Sequence, residues 1–241
     1  MPRKPVTTSV IMTETPFDNR HCCWFCGEPS DVFFLFRAYS AAFLYESDDK
    51  LSLSRSHPAI SIPSCRECQQ FANKAKVKTI LAVKSYVKKK LLGRYAKDLA
   101  IGVNWTKEEL ATSEFEQGNF AGFARSAWFM YEVAKTRVSF LGWPLVVNGI
   151  ELEEATLETI EVKTFRFDDV LYPSLTEAIN HYAKIFLLDE YYVTAVLQHL
   201  GNGEINDKTF AQTIRFCRLL VNASPQERKE AFKALIAIKS E

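Results

Sequence analysis

The sequence predicts an α+β fold that is mostly α. After residue 79, long stretches repeat apolar residues at helical spacing and open on capping boxes. Strand signals are short; the clearest are "PLVVNGIEL" and "TIEVKTFRFDDVLYPS". Two C-x-x-C pairs, in "HCCWFCGEPS" and "IPSCRECQQF", precede the helices and mark a small module built around a metal.

The chain has 241 residues, of which 47% are apolar, enough for one large domain or two to three small ones. Its formal charge of +1 rules out a polyelectrolyte binder, so any nucleic-acid surface must be local. No apolar run approaches the roughly 20 residues that span a bilayer, so no membrane partner is expected. Residues 1–19, "MPRKPVTTSVIMTETPFDN", read as a loose arm rather than a signal peptide, and a cytoplasmic location is the expectation.

Four of the six cysteines fall in the two C-x-x-C pairs, and no export signal accompanies them. In a reducing compartment that pattern favours metal thiolates over disulfides. Cys23 and Cys26, followed by Gly27, place two ligands on a tight turn. Cys65 and Cys68 stand where a helix begins, and a helix N-terminus supports thiolate charge. Four thiolates in tetrahedral geometry fit Zn2+ best. Cys22 either replaces Cys23 in an alternate register or packs beside the site, and His21 is a minor candidate ligand. Cys217, alone in "TIRFCRLLV", is expected in the core.

A C-x-x-C turn, a strand region and then C-x-x-C on a helix is the order of a treble-clef zinc finger. "CWFCGEPS" and "ISIPSCRECQQFANKAK" resemble the two zinc-binding halves of bacterial HNH-endonuclease-like proteins, over residues 20–78, roughly a quarter of the chain. The resemblance implies a finger followed by a histidine that serves as general base beside a catalytic metal. This chain departs there: "DVFFLFRAYSAAFLYES" contains no histidine. His57 is the single histidine between the pairs and the weak candidate for a displaced base; otherwise it is a loop residue before Pro58. Asn73 echoes the family's helix Asn/His. The implied protein is a degenerate finger that zinc folds and that does not cut.

Residues 79–143 form the predicted helical middle. Ile80, Val83, Val87, Leu91 and Tyr95 recur at helical spacing and mark a buried face. Lys84, Lys88, Lys89, Lys90, Arg94 and Lys97 line the rest, with Lys74, Lys76 and Lys78 upstream. Such a run is either a solvated helix face or a phosphate-contacting surface. Thr106 and Glu109 make a capping box. In "FAGFARSAWFMYEVAKTRVSFLGWP", Phe120, Phe123, Ala127, Met130, Tyr131 and Ala134 share one side and are expected in the core.

Residues 144–241 are expected to hold a small sheet and a helical part. Asn148-Gly149 suits a type I′ turn. Asp168-Asp169, like Asp48-Asp49, reads as loop and turn charge. Ser174 with Glu177 caps one helix and Asp189 a second, whose apolar positions are Val193, Val196, Leu197 and Leu200 and whose stops are Gly201 and Gly203. "YPSLTEA" through "VTAVLQHLGNGEI" is similar to helix-turn-helix modules that accompany HNH nucleases in homing endonucleases and mobile elements. The expected recognition face offers Tyr191, Tyr192, Thr194, Gln198 and His199, with no Arg or Lys and two acids at its start; a helix pair that serves packing or protein contact fits equally. His181 and His199 are read as packing or surface residues. Ser224, Pro225 and Glu227 open a final helix.

The functional expectation is a non-catalytic nucleic-acid-binding protein, most simply DNA-binding. Zn2+ would be held by Cys23, Cys26, Cys65 and Cys68, and phosphate would be contacted by Lys84, Lys88, Lys89, Lys90 and Arg94. The alternatives are a metal-dependent nuclease using His57 and a zinc-stabilised protein-interaction module.

Overall fold

A computed structural model describes residues 10–37, 43–47, 50–54, 59–77, 79–111, 121–152, 164–202 and 204–238. The fold is α+β and mostly α. It divides into two compact units that interleave along the sequence: residues 1–92 with 136–160, and residues 93–135 with 161–241. Residues far apart in sequence close each core, and no Gly- or Ser-rich linker marks the crossings.

The first unit holds a three-stranded sheet of β1 (Val10–Met12), β2 (Val32–Phe36) and β5 (Ala59–Ser64), in the order β1-β5-β2. β5 runs parallel to β1 and antiparallel to β2. The period of two in a strand sends Phe34 and Phe36, opposite Ile62 and Ile60, into the core, while Phe33 and Leu35 stay exposed. All six residues of β5 are buried, as befits the central strand. A hairpin of β3 (Phe43–Ser47) and β4 (Lys50–Ser54) separates β2 from β5. Helix α1 (Arg66–Ala72) follows β5 directly.

Helix α2 (Ile80–Arg94) buries Ile80, Val83, Val87 and Leu91, the face its spacing predicts. The small hairpin β6 (Val146–Val147) and β7 (Ile150–Glu151) turns at Asn148 and Gly149, both at positive φ, as a type I′ turn requires. Glu14 fastens it: its backbone N–H reaches the Val146 carbonyl at 2.8 Å and its carboxylate accepts from Gly149 N at 2.7 Å.

The second unit contains α3 (Ala96–Asn104), α4 (Lys107–Ala111), most of α5 (Ala121–Ser139), and the hairpin β8 (Phe165–Phe167) and β9 (Val170–Tyr172). It continues through α6 (Leu175–Phe186), α7 (Glu190–Gly201), α8 (Asp207–Leu219) and α9 (Pro225–Ile238). An aromatic cluster makes its core. The Phe167 ring lies 4.7 Å from Phe210 and 5.6 Å from Tyr182, in tilted and edge arrangements that suit ring quadrupoles. Cys217 is buried among these helices, as expected.

Every anticipated cap forms: Thr106 for α4, Ser174 for α6, Asp189 for α7 and Ser224 for α9. Asn206 caps α8, accepting from Thr209 N at 3.0 Å. The end of α7 differs from expectation. Gly201 is its last helical residue, and Asn202 takes the left-handed conformation that closes the helix, while Gly203 lies outside the described residues.

The apolar face of α5 also differs. Tyr131, Ala134 and Val138 are buried, spaced three and then four residues apart, whereas Met130 is 40% exposed; the side chains of Phe120 and Phe123 lie outside the described residues. The stripe thus runs one step away from Met130, because Arg137, not an apolar residue, continues it inward. Among the described residues, no helix is long and apolar enough to cross a membrane.

In the second unit, His181 is packed between Tyr172 and Tyr182, with ring centroids 5.6 and 5.0 Å away. Its Nε2 is buried without a hydrogen-bond partner among the described residues, and burial pushes its pKa down to about 4. The folded state therefore holds it neutral while the unfolded chain protonates it near 6.5. Stability should be independent of this group above about pH 6.5 and fall as pH drops from there through about 4. The loss is on the order of 2–3 kcal/mol. Urea titrations across that window check it; His181→Phe should flatten this part of the profile.

Candidate metal centre

The turn carrying Cys23 and Cys26 is built by backbone bonds. Gly27 N donates to Cys23 O at 2.8 Å, and Cys23 N donates to Glu28 O at 2.6 Å. Gly27 sits at φ +75°, and a Cβ there would come within 2.9 Å of the Phe140 ring, so both backbone and space demand glycine. Trp24 N donates to Pro63 O at 3.0 Å, which lays the turn against the end of β5, directly before the second pair. There Cys65 is the N-cap of α1, and its sulfur accepts from Cys68 N at 3.5 Å.

The result is a group of four cysteines, Cys23, Cys26, Cys65 and Cys68, with sulfurs all within 4.8 Å of one another. The Cys26 and Cys65 sulfurs are 3.8 Å apart, far too long for a disulfide bond of about 2.05 Å. A tetrahedral ion with metal–sulfur bonds of about 2.3 Å needs sulfurs about 3.8 Å apart, the separation of the Cys26 and Cys65 sulfurs. Cys23, Cys26 and Cys68 are fully buried. This group could hold a metal ion, and among the described residues it is the one such grouping. Hydrogen bonds from Cys23, Cys26 and Cys68 lower the Cys65 thiol below its ordinary range.

Cys22 and His21 stand outside the group. Cys22 is half-buried and His21 exposed, on the part of the turn where Cys22 bridges Pro29 through the backbone. Asn73 is exposed at the C-terminal end of α1. His57 lies outside the described residues.

What the sequence did not reveal is the cationic wall behind the sulfurs. Arg137, near the end of α5, is 8% exposed. Its guanidinium Nη2 donates to the sulfurs of Cys26 at 3.6 Å and Cys65 at 3.7 Å, and pairs with Glu67 at 2.7 Å. Lys84 and Lys88, expected among the phosphate contacts, also turn inward. The Lys88 ammonium donates to the carbonyls of Arg137 at 3.1 Å, Val138 at 3.0 Å and Phe140. Burial pushes its pKa down to about 8, with Lys84 adding repulsion and the cysteines opposing it. Lys84 donates to the Leu141 carbonyl and lies 4.3 Å from the Trp24 ring centroid. The physical reason is local: α5 ends there, its last carbonyls have no partner within the helix, and the two lysines one turn apart on α2 supply the donors. Lys89, Lys90 and Arg94 are exposed.

The proposed recognition face on α7 is mostly engaged within the unit. Tyr192 donates to the Arg228 carbonyl at 3.0 Å, His199 packs on Phe232, and Thr194 bonds to its own helix. Tyr191 and Gln198 remain exposed. No family model, curated protein or solved structure matches the chain.

A residue that neutralises thiolates from behind should govern how tightly the ion is kept. Arg137→Met should leave a folded, metal-containing protein that loses metal to a chelator roughly ten- to a hundredfold faster. Cys65→Ser should instead lower the metal content below one ion per chain and unfold the first unit. Chromogenic chelator kinetics and metal analysis separate the two outcomes.

Proposed function

We propose that this chain is a non-catalytic nucleic-acid-binding protein of HNH-like descent, with a treble-clef finger folded by a structural zinc ion on Cys23, Cys26, Cys65 and Cys68. The observation that carries the reading is the closed sulfur cage. Four cysteines, with sulfurs within 4.8 Å of one another, are enough to fill a tetrahedral shell, whereas a catalytic zinc needs one position for water or substrate. Softness of the ligand set favours zinc over magnesium or calcium. When bound, zinc supplies folding free energy rather than a nucleophile.

Support for a nucleic-acid partner is the outer face of α2. Lys89, Lys90 and Arg94 remain exposed there once Lys84 and Lys88 are committed to α5, and Lys74 and Lys76 are exposed just upstream. They concentrate positive charge in a chain of net charge +1.

Three phosphate contacts predict a modest salt response: for duplex DNA, log K should fall against log salt with a slope of about −2.7. Replacing Lys89, Lys90 and Arg94 with alanine should abolish that slope while leaving the metal content unchanged. Lys88→Ala should lower the melting temperature with little change in slope. Absence of salt-dependent binding to duplex DNA, single-stranded DNA and RNA would overturn the reading and leave protein interaction as the role of the zinc module.

A further inference from the structure

The second unit carries a cleft that the metal centre does not explain. It measures about 410 Å3 and is walled by Trp105, Trp128 and Tyr131. Trp105 closes α3 as its C-cap and is 37% exposed. Trp128 and Tyr131 stand one turn apart on α5, with ring centroids 4.7 Å apart. Gly102 lets the Tyr131 ring lie against α3, since a Cβ there would come within 2.3 Å of it.

The charged groups around these rings are held in place. Trp128 Nε1 donates to Glu132 at 2.7 Å, fixing a carboxylate beside the indole. Asp168, at the turn between β8 and β9, accepts from the Tyr131 hydroxyl and from Lys135 at 2.7 Å. Lys135 also pairs with Asp169 at 3.1 Å, so two carboxylates neutralise one ammonium. Both aspartates sit at positive φ, a conformation that non-glycine residues rarely adopt and that concentrates where surroundings fix it. Glu108 adds another acid to the lining, and Lys107, whose side chain is 66% exposed, reaches Glu132 only at 3.9 Å.

Aromatic faces next to preset, excess negative charge select one ligand chemistry. Ring faces attract a cation whose charge is spread over methyl groups, because such a cation gives up little hydration on entering. The same acids repel phosphate and carboxylate. We propose that this cleft binds a quaternary or methylated ammonium group, seated against Trp105 and Trp128 with Glu132 as its counter-charge. The volume accommodates a trimethylammonium head together with the first atoms of the chain bearing it.

The test uses the full, metal-loaded chain and follows tryptophan fluorescence while tetramethylammonium or choline is added. The neutral isostere 3,3-dimethylbutan-1-ol, adenosine and inorganic phosphate are the comparison probes. Saturable quenching by choline at millimolar concentration or below is expected, with the isostere at least tenfold weaker. Trp105→Ala and Glu132→Gln should each weaken choline roughly tenfold, at unchanged metal content and unchanged circular dichroism. Glu132→Gln keeps the shape and removes the charge, so it separates recognition from folding should Trp105→Ala disturb the unit. Equal binding of choline and the isostere, tighter binding of adenosine or phosphate, or no saturable response to choline up to about 10 mM by the folded protein would each overturn the proposal.

Discussion

Four cysteines gathered in one group that could hold a metal ion would, as thiolates around a divalent ion, leave a centre with excess negative charge. In a low-dielectric interior such a charge must be met close by. The answer comes from far along the chain: Arg137 lies 111 residues beyond Cys26, yet its guanidinium touches two sulfurs. Glu67, one residue before Cys68, pairs at 2.7 Å with the same guanidinium nitrogen that contacts the two sulfurs. The cysteine group therefore does more than join a turn to a helix start. Through Arg137 it recruits the end of α5 into the same unit, which is why residues 136–160 belong with the first 92.

Bringing a helix end into a buried setting creates a second demand. The final carbonyls of α5 have no intrahelical donors, and an unpaired buried carbonyl costs on the order of 1–3 kcal/mol. Lys88 meets the carbonyls of Arg137 and Val138 and that of Phe140 just past the helix end, and Lys84 meets the exposed Leu141 carbonyl beyond it. Trp24, from the cysteine turn itself, donates its indole N–H to the Trp143 carbonyl at 2.7 Å, and a Cβ at Gly142 would fall 2.7 Å from the Trp24 carbonyl. Thiolate neutralisation and carbonyl pairing are thus one structure, in which the ligand turn, α2 and the end of α5 each satisfy groups on another.

This division explains what was legible beforehand. The α+β class, the two C-x-x-C pairs, the buried face of α2 and most helix caps rest on local spacing, and local spacing is what a sequence displays. The type I′ turn at Asn148-Gly149 is of the same kind. Arg137 was hidden because "AKTRVSF" looks like the solvated end of a helix; only the three-dimensional meeting of residues 26, 65 and 137 gives it a charge to answer. Met130 was misplaced for a related reason: the helical stripe of α5 turns toward Tyr131, Ala134 and Val138, and the charged residue among them belongs inside. The cleft residues were equally illegible, since Asp168 and Trp105 join only through the approach of a hairpin to α3 and α5 within their unit.

The lysine-rich helix shows why a charge run is a poor measure of a binding surface until its structural duties are subtracted. A lysine whose three donors already face carbonyls has nothing left to offer a phosphate, and moving it would leave those carbonyls unpaired. Its lowered pKa follows from the same burial that makes it a good internal donor. Lys89 and Lys90 differ from Lys88 by only one and two positions, but about 100° per residue in a helix carries them to the exposed side. The seam facing α5 takes Lys84 and Lys88, while Lys89 and Lys90 lie on the exposed side.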